Sequence, residues 1–391
     1  MFTPKMGRRS FLQAAGAAAL CAAAGHRDGA AEGFRIPTGL YPSYVDEKTG
    51  ATVLTLTPGG STNSIVYQTH PMWLDGGKYL FFTSDRSGGG MAPHLLELAT
   101  GTVKPVTLKD AGHNTLSWNT PFLYYVQGDA LGMLDLVQSF QGTAEPRLFG
   151  KVPDGVRSLS GTISVEADGS TLYLGAIIGD NDRSAIYAVD TKTGDTREVT
   201  AFDFKVGHVQ ANPFTPGLVM FCHETGGDAP QRVWTARVGG DGPAPFYKET
   251  YDEWVTHEAW WGPDRIVFTV WPYDDRHKGL PHGIATATLA DGPQGKMEVL
   301  AQYPAWHTHG SPDGKWVMGD DFDRNLWLVH PEKRERRLLT QGHLGKGLKT
   351  HPHGSFTPDS RAVLFNSSRE GHDTLCCALL PDDWESLPKA D

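Results

Sequence analysis

The chain has 391 residues, of which 39% are hydrophobic and 20% are charged, with a formal net charge of −10 at pH 7. This composition is typical of a globular protein with a large core, and the acidic balance argues against nucleic acid or an anionic membrane as a partner. The 46 glycines and 26 prolines favour many turns and short strands over long helices.

The N-terminus has the pattern of a twin-arginine export signal. Arg8 and Arg9 precede a Ser-Phe-Leu triplet and the alanine-rich run 13–24, which is too short to span a bilayer as a helix of the mature protein. We therefore expect residues 1–31 to be a signal peptide and linker. The mature protein would then have no membrane anchor and would be periplasmic or secreted.

A sequence unit recurs seven times along the rest of the chain. Each copy reads as a strand, a turn of the Pro-Asp-Gly type such as 311–315, and a second strand with an apolar pair. Successive apolar pairs are 43 to 50 residues apart, a period typical of four-stranded blades that close into a propeller. The sequence predicts an all-β fold, a seven-bladed β-propeller over residues 40–382. A β-sandwich with a second domain would not explain the equal spacing.

The two ends of the chain supply a closure for this ring. The last copy ends near Leu380 after about three strands, whereas 51–57 reads as a strand without a blade of its own. We expect this N-terminal strand to complete the last blade, because closure removes exposed sheet edges.

Histidines recur in register with the repeat. Each lies 9 to 11 residues before the apolar pair of its copy; they are His70, His113, His208, His257, His307 and His353. The innermost strand of every blade lines the central channel, so we expect these side chains to gather at one mouth.

The pair His351-Pro352-His353 is the strongest candidate for metal binding. Two histidines at i and i+2 on an extended chain point the same way, and His307 or His309 of the neighbouring blade would supply a third imidazole. Imidazole alone does not select the metal, so Zn, Mn, Fe and Ni all remain possible. The alternative is that the pair packs at a strand start and bonds the backbone.

His257 lies one blade before His307. A neutral histidine near a cation has a lowered pKa and can act as a base, although a second metal ligand or a buried structural histidine would fit the same position. Arg232 could pair with a substrate carboxylate through its planar fork, or with Glu224 or Asp228.

Three further side chains are candidates for substrate contact. His208 and Gln210 are expected to line the same mouth, and His223 belongs to the blade that carries Arg232.

The chain resembles the oligogalacturonate lyases, the seven-bladed propeller enzymes of polysaccharide lyase family twenty-two. The motifs that carry the resemblance occur in the family's order: Tyr67-Gln68-Thr69, Gly207-His208-Val209-Gln210, Phe221-Cys222-His223-Glu224, Arg232-Val233-Trp234, Thr256-His257-Glu258 and Thr350-His351-Pro352-His353.

The resemblance implies β-elimination on a small anionic oligosaccharide of uronic acids with a manganese ion. It matches His307, His351 and His353 to the metal ligands, His257 to the base and Arg232 to an arginine near the substrate. A metal and an arginine on the substrate carboxylate would neutralise the charge that develops when the neighbouring proton is abstracted.

One position departs from the family. Leu348 stands where the family has a glutamine ligand, three residues before His351. Either Gln341 or His343 reaches round, or water fills the position, or metal and substrate have changed. The alternatives for the whole chain are a lyase on a different uronate polysaccharide and a non-catalytic binding module of the TolB type. The sequence does not give the oligomeric state.

Overall fold

The computed structural model describes residues 34–390 except 109–110, 180–182, 226–228, 251, 273–278, 346–347 and 349. The predicted signal peptide and linker, 1–31, lie outside the described residues. Within the described part of the chain, no helix has the length and apolarity needed to cross a membrane.

The described residues form seven antiparallel sheets, which we number as blades in chain order. The N-terminal strands are β1 (Ser43–Val45) and β2 (Thr52–Thr55). Blade 1 contains β3 (Asn63–Ser64), β4 (Trp73–Leu74), β5 (Tyr79–Ser84), β6 (Ala92–Glu97) and β7 (Thr102–Pro105). Blade 2 contains β8 (Asn114–Leu116), β9 (Phe122–Gln127), β10 (Ala130–Asp135) and β11 (Arg147–Lys151). Blade 3 contains β12 (Ser158–Leu159), β13 (Ser164–Val165), β14 (Thr171–Ile177), β15 (Ser184–Asp190) and β16 (Thr196–Phe202).

The later blades follow the same plan. Blade 4 contains β17 (Val206–Ala211), β18 (Leu218–His223), β19 (Val233–Arg237) and β20 (Ala244–Pro245). Blade 5 contains β21 (Glu253–Trp260), β22 (Arg265–Pro272), β23 (Gly283–Thr288) and β24 (Glu298–Gln302). Blade 6 contains β25 (Ala305–Gly310), β26 (Val317–Asp321), β27 (Leu326–His330) and β28 (Glu335–Thr340). Blade 7 contains β29 (Ser355–Phe356), β30 (Ala362–Ser367) and β31 (Thr374–Leu379), together with β2 and β1. The described helical segments are α1 (Leu136–Gln141) and the short 3-10 turns Asp75–Gly77, Leu289–Asp291 and Trp384–Ser386.

The predicted fold class and its closure are confirmed. Strand β2 pairs with β31, with Leu54 opposite Cys377, and β1 adds a further strand outside β2. The loop between β1 and β2 is fixed to blade 6, because the Asp46 carboxylate accepts hydrogen bonds from Thr340 Oγ1 and the Gln341 amide, both at 2.9 Å. The N-terminal strands therefore close the ring.

The core lies between the blades. Each of the seven hydrophobic clusters joins two neighbouring blades; Phe81 of blade 1, for example, shares a cluster with Tyr125 of blade 2. The middle strands are covered on both faces, so they read as continuous apolar runs such as β30. Burial of each large apolar side chain contributes roughly 1.5–3 kcal/mol, and this repeated packing fixes the blades around the channel.

The turns set the direction of the inner strands. In blade 6, β25 ends at Gly310 and enters the turn in which Gly314 has a φ of 74°, a backbone region that favours glycine. His307 lies near the start of β25, so it is at the channel mouth opposite the turns.

Candidate active site

Backbone irregularities turn the histidines toward the channel. The inner strands of blades 4, 5 and 6 each change register at the histidine position, between Gly207 and Gln210, Thr256 and Ala259, and Ala305 and Thr308. Such bulges re-aim side chains. His208, His257 and His353 also have positive φ values of 49°, 59° and 49°. A non-glycine residue in this region costs on the order of 1–3 kcal/mol, a cost that is found at functional sites.

Four imidazoles surround one tyrosine, and a fifth lies beside one of the four. The ring of Tyr67 lies 5.6 to 6.4 Å from the rings of His208, His257, His307 and His353, and His351 lies 5.4 Å from His307. We call His208, His257, His307, His351 and His353 the histidine group. Tyr67 reaches this position because the inner strand of blade 1 is interrupted between β3 and β4.

The structure does not bring the other two in-register histidines into the group. His70 is deeper in the channel, where its Nδ1 lies 2.9 Å from Thr69 Oγ1 and it lines a cavity of about 20 Å³ with Gln210 and His309. Burial lowers the pKa of His70 to about 4. His113 is exposed on blade 2.

A buried carboxylate orients His307. Asp320 Oδ2 lies 2.9 Å from His307 Nδ1, and Asp320 also accepts the backbone amides of His307 at 2.7 Å and His353 at 3.1 Å. The ring N–H of His307 is therefore on Nδ1, and its Nε2 carries the lone pair. Burial and the neighbouring imidazoles lower the pKa of His307 and of His353 to about 3, so both rings are neutral and can act as ligands.

His351 completes a set of donors that fits a metal ion. Its Nδ1 is buried and has no hydrogen-bond partner among the described residues, and the potential ligand atoms of His307, Asp320 and His351 lie within 4.8 Å of one another. Asp320 already accepts three N–H groups of two histidines, so its oxygens are used to orient these histidines, and the unpartnered imidazole nitrogens are the atoms free to meet an ion. His309, the alternative to His307, faces away and accepts the Phe356 amide at 3.3 Å.

The hydrogen bonds of His257 define its tautomer. Its Nδ1 lies 3.2 Å from Thr269 Oγ1, and the Thr269 hydroxyl donates to the carbonyls of Thr256 and Trp306 at 3.1 and 3.2 Å. Since that hydroxyl proton is already used, Thr269 accepts from Nδ1–H and the lone pair is on Nε2. Burial and the proximity of His307 lower the pKa of His257 well below its usual range. The ring of His257 is 4.4 Å from that of His307.

Arg232 is part of a closed network of charges. It is 5% exposed, its Nε donates to Glu258, and its Nη1 lies 3.7 Å from Glu224 Oε1. His208 joins the same two carboxylates at 3.4 and 3.3 Å. Burial alone would raise the pKa of Glu258. Arg232 and His208 nevertheless hold that pKa below its usual value. The arginine and the glutamates thus compensate each other before any substrate binds.

A second possible ligand set, His208, Cys222 and Glu224, belongs to this network. Burial raises the pKa of the Cys222 thiol, and the thiolate, not the thiol, is the metal ligand. The adjacent guanidinium of Arg232 also opposes a cation, so hydrogen bonds and ion pairs account for the cluster.

Two of the predicted substrate contacts are turned elsewhere. Gln210 is buried and its Nε2 donates to the Glu258 carbonyl at 2.7 Å, so it stabilises the network through the backbone of Glu258. His223 stacks on Phe204 with ring centroids 4.1 Å apart. Successive side chains of a strand point to opposite faces, so His223 lies on the other face from Cys222. His208 is the predicted contact that the structure places in the histidine group.

The structure removes one proposed replacement for the ligand that is lost at Leu348. His343 is buried against Phe365, with its nitrogens 3.1 and 3.2 Å from Thr340 and Ser367, so it does not reach the histidine group. Leu348 bonds back to the Gly345 carbonyl through its amide at 3.2 Å.

Residue patterns had not identified four members of the site. Tyr67, Glu258, Thr269 and Asp320 are buried or half-buried, and each contacts a predicted histidine. Tyr67 and Glu258 lie inside the motifs that carry the resemblance, which could have indicated them, whereas Thr269 lies in an apolar strand and Asp320 is one of two adjacent aspartates at the end of β26, so neither matched a site pattern.

Comparisons with known proteins find relatives along nearly the whole chain. The oligogalacturonide lyase of Pectobacterium atrosepticum is 26% identical, over 90% of this chain and 99% of that protein. The oligogalacturonate lyase of Dickeya dadantii is 24% identical, over 88% and 97%. No family model matches the chain.

Solved structures show the same architecture. An oligogalacturonate lyase of Vibrio parahaemolyticus superposes with a TM-score of 0.76 at 22% identity, covering 88% of this chain and 97% of the other. An oligogalacturonate lyase in complex with manganese superposes with a TM-score of 0.75 at 25% identity, covering 88% and 96%. These relatives confirm the resemblance drawn from the motifs: over nearly its whole length, this seven-bladed propeller is similar to the oligogalacturonate lyases.

Proposed function

We propose that this protein is an oligogalacturonate lyase that cleaves short oligogalacturonides by metal-assisted β-elimination and releases an unsaturated uronate. The observation that carries the proposal is the proximity of two buried imidazoles, with the rings of His257 and His307 4.4 Å apart, and we assign the role of base to His257 and that of metal ligand to His307. The named relatives support the substrate class.

His307, His351 and His353 would hold the metal, which we propose is manganese because a similar lyase binds it. When bound, the ion would draw electron density from the substrate carboxylate and so acidify the neighbouring C–H. With leucine at position 348, three imidazoles remain and water would fill the other positions. Divalent ions other than manganese are compatible with imidazole ligands.

The protein's own residues would carry the proton. His257 Nε2 takes the proton from C5 of the uronate, the C–H electrons form the C4–C5 double bond, and the C4–O bond breaks. The leaving oxygen at C4 would take its proton from the Tyr67 hydroxyl, which stays protonated because burial raises the pKa of Tyr67. Arg232 would lie beside the reacting carboxylate as a fixed guanidinium, with Glu258 and Glu224 holding both Arg232 and His208 in position.

We also propose export by the twin-arginine pathway to the periplasm or beyond, on the strength of Arg8, Arg9 and the run 13–24. Cell fractionation would test this. An Arg8→Lys, Arg9→Lys double variant should stay in the cytoplasm, and export of that variant would contradict the proposal.

A panel of uronate oligomers tests the activity. Purified protein is incubated with digalacturonate and with oligomers of other uronic acids, with manganese and after chelation, and the ultraviolet absorbance of the unsaturated product is followed. We expect a rise with digalacturonate that needs the metal. A rise only with another uronate would support the alternative that Leu348 suggests, a lyase on a different uronate polysaccharide. No rise with any uronate would contradict lyase activity.

A further inference from the structure

A row of three aromatic rings extends from the histidine group across blades 5 and 6. Trp271 is near the end of β22, Trp306 is in β25, and Phe322 directly follows β26. The rings of Trp306 and Phe322 are 5.1 Å apart, those of Trp271 and Phe322 are 5.5 Å apart, and those of Trp271 and Trp306 are 6.5 Å apart. We call these three residues the aromatic shelf.

The shelf begins at the proposed reacting groups. The ring of Trp306 lies 4.8 Å from His257 and 6.1 Å from His351, so it touches both the base and a metal histidine. Phe322 lies 6.3 Å from His351 on the outer side. A ligand bound at the histidine group and longer than one sugar ring would therefore contact the shelf if it extended toward blade 6.

The shelf is rigid on one side and open on the other. Trp271 Nε1 donates to the Ala305 carbonyl at 3.1 Å, which fixes the indole of Trp271 against blade 6. Phe322 is 43% exposed, and both tryptophans are half-buried. A single exposed phenylalanine is ordinary, but exposed aromatic surface continuous with a polar site is typical of a ligand-binding cleft.

A cation lies beside the shelf. Arg324, two residues after Phe322, donates from Nε to the Thr350 carbonyl at 3.4 Å and from Nη1 to the Phe322 carbonyl. The positive charge of Arg324 helps to lower the pKa of His307 and of His351. The shelf thus combines apolar ring surfaces, inclined at 43° between Trp306 and Phe322, with positive charge, the two features that a sugar ring with an apolar C–H face and a carboxylate would need.

We propose that the aromatic shelf is the subsite for a second uronate ring of the oligomer, which stacks on Phe322 and Trp306 and directs its carboxylate toward Arg324. The proposal rests on the proposed function, because it identifies where the neighbouring sugar of that substrate binds. The shelf then favours oligomers over the single sugar.

Equilibrium binding tests the shelf without turnover. In the inactive His257→Ala background, digalacturonate binding is measured by calorimetry with and without Phe322→Ala. We expect binding to weaken about tenfold, which corresponds to about 1.4 kcal/mol. Leu148→Ala is the matched control, since Leu148 is a 57% exposed apolar residue on β11 of blade 2, and it should leave binding unchanged.

A conservative variant separates stacking from a structural role. Phe322→Trp keeps a flat ring and should retain wild-type affinity, and in the active enzyme Phe322→Ala should raise KM while kcat stays close to wild type. Unchanged digalacturonate binding in the Phe322→Ala protein, or weakened binding in the Phe322→Trp protein, would contradict the assignment of the shelf as a sugar subsite. This holds whether or not the wild type cleaves digalacturonate. Absence of turnover by the wild type would instead contradict the proposed function.

Discussion

The Asp320 carboxylate holds the Nδ1 of His307 at 2.9 Å and the backbone amide of His353 at 3.1 Å. One buried acid on β26 thus connects two imidazoles from neighbouring blades. It fixes the tautomer of His307 and the position of His353, which makes it the organising residue of the proposed metal site.

Asp320→Asn should weaken manganese binding by about 10- to 100-fold, because loss of such an orienting carboxylate has effects of this size. The measurement is calorimetric titration of the purified protein with manganese. Asp129→Asn, an exposed position in the turn between β9 and β10, is the control and should bind as the wild type does. Equal affinities for Asp320→Asn and wild type would show that this carboxylate does not support the site.

Thr269→Val should lower kcat at least tenfold with little change in KM. The substitution keeps the volume but removes the acceptor for His257 Nδ1–H, so the ring no longer has a fixed tautomer with Nε2 free. Steady-state kinetics on digalacturonate would measure this.

The control is Thr286→Val on β23, because Thr286 is also buried and its hydroxyl donates to a backbone carbonyl, that of Ile266 at 2.7 Å. If Thr269→Val kept wild-type kcat, the hydrogen bond to Thr269 would not set the tautomer of the base.

Arg232→Ala should reduce stability as well as activity. The substitution leaves Glu258 buried without its main counter-charge, and removal of one partner from a buried ion pair costs about 3–5 kcal/mol. Urea unfolding gives the change in free energy. The double variant Arg232→Met, Glu258→Gln should recover most of the loss, because it removes both charges. A single variant as stable as the wild type would mean that the network contributes little to folding.

His343 should make stability depend on pH. Burial lowers its pKa to about 4, with Asp46 raising it and Arg369 lowering it further, against about 6.5 in the unfolded chain. Between these values the unfolded chain binds a proton and the folded protein does not. The contribution of neutral His343 to the free energy of unfolding is therefore complete above about pH 6.5 and is lost as the pH falls toward 4.

Urea unfolding at pH 7 and pH 5 measures this dependence. Between pH 7 and pH 5, the free energy of unfolding of His343→Gln should fall by about 2 kcal/mol less than that of the wild type. His113→Gln, at an exposed histidine, should lose as much as the wild type does. The same loss in His343→Gln as in wild type would contradict the assignment.

The sequence predicted the ring better than it predicted the site. Repeat spacing and the unpaired N-terminal strand are periodic signals, and both specify which strands pair. The bulges at His208 and His257 are departures from that period, so a register-based prediction could not distinguish the inward-facing histidines from His70 and His113. Asp320 and Thr269 become neighbours of the site only when the blades are packed together.

The central claim, β-elimination, is tested most directly by digesting digalacturonate in water enriched in oxygen-18 and weighing the products. Elimination adds no water, so the account predicts an unsaturated and a saturated uronate whose masses sum to that of the substrate, with no label beyond the carbonyl exchange that the isolated products show in the same water. Products that carry one oxygen-18 per cleavage and together exceed the substrate by one water would show hydrolysis and contradict the account.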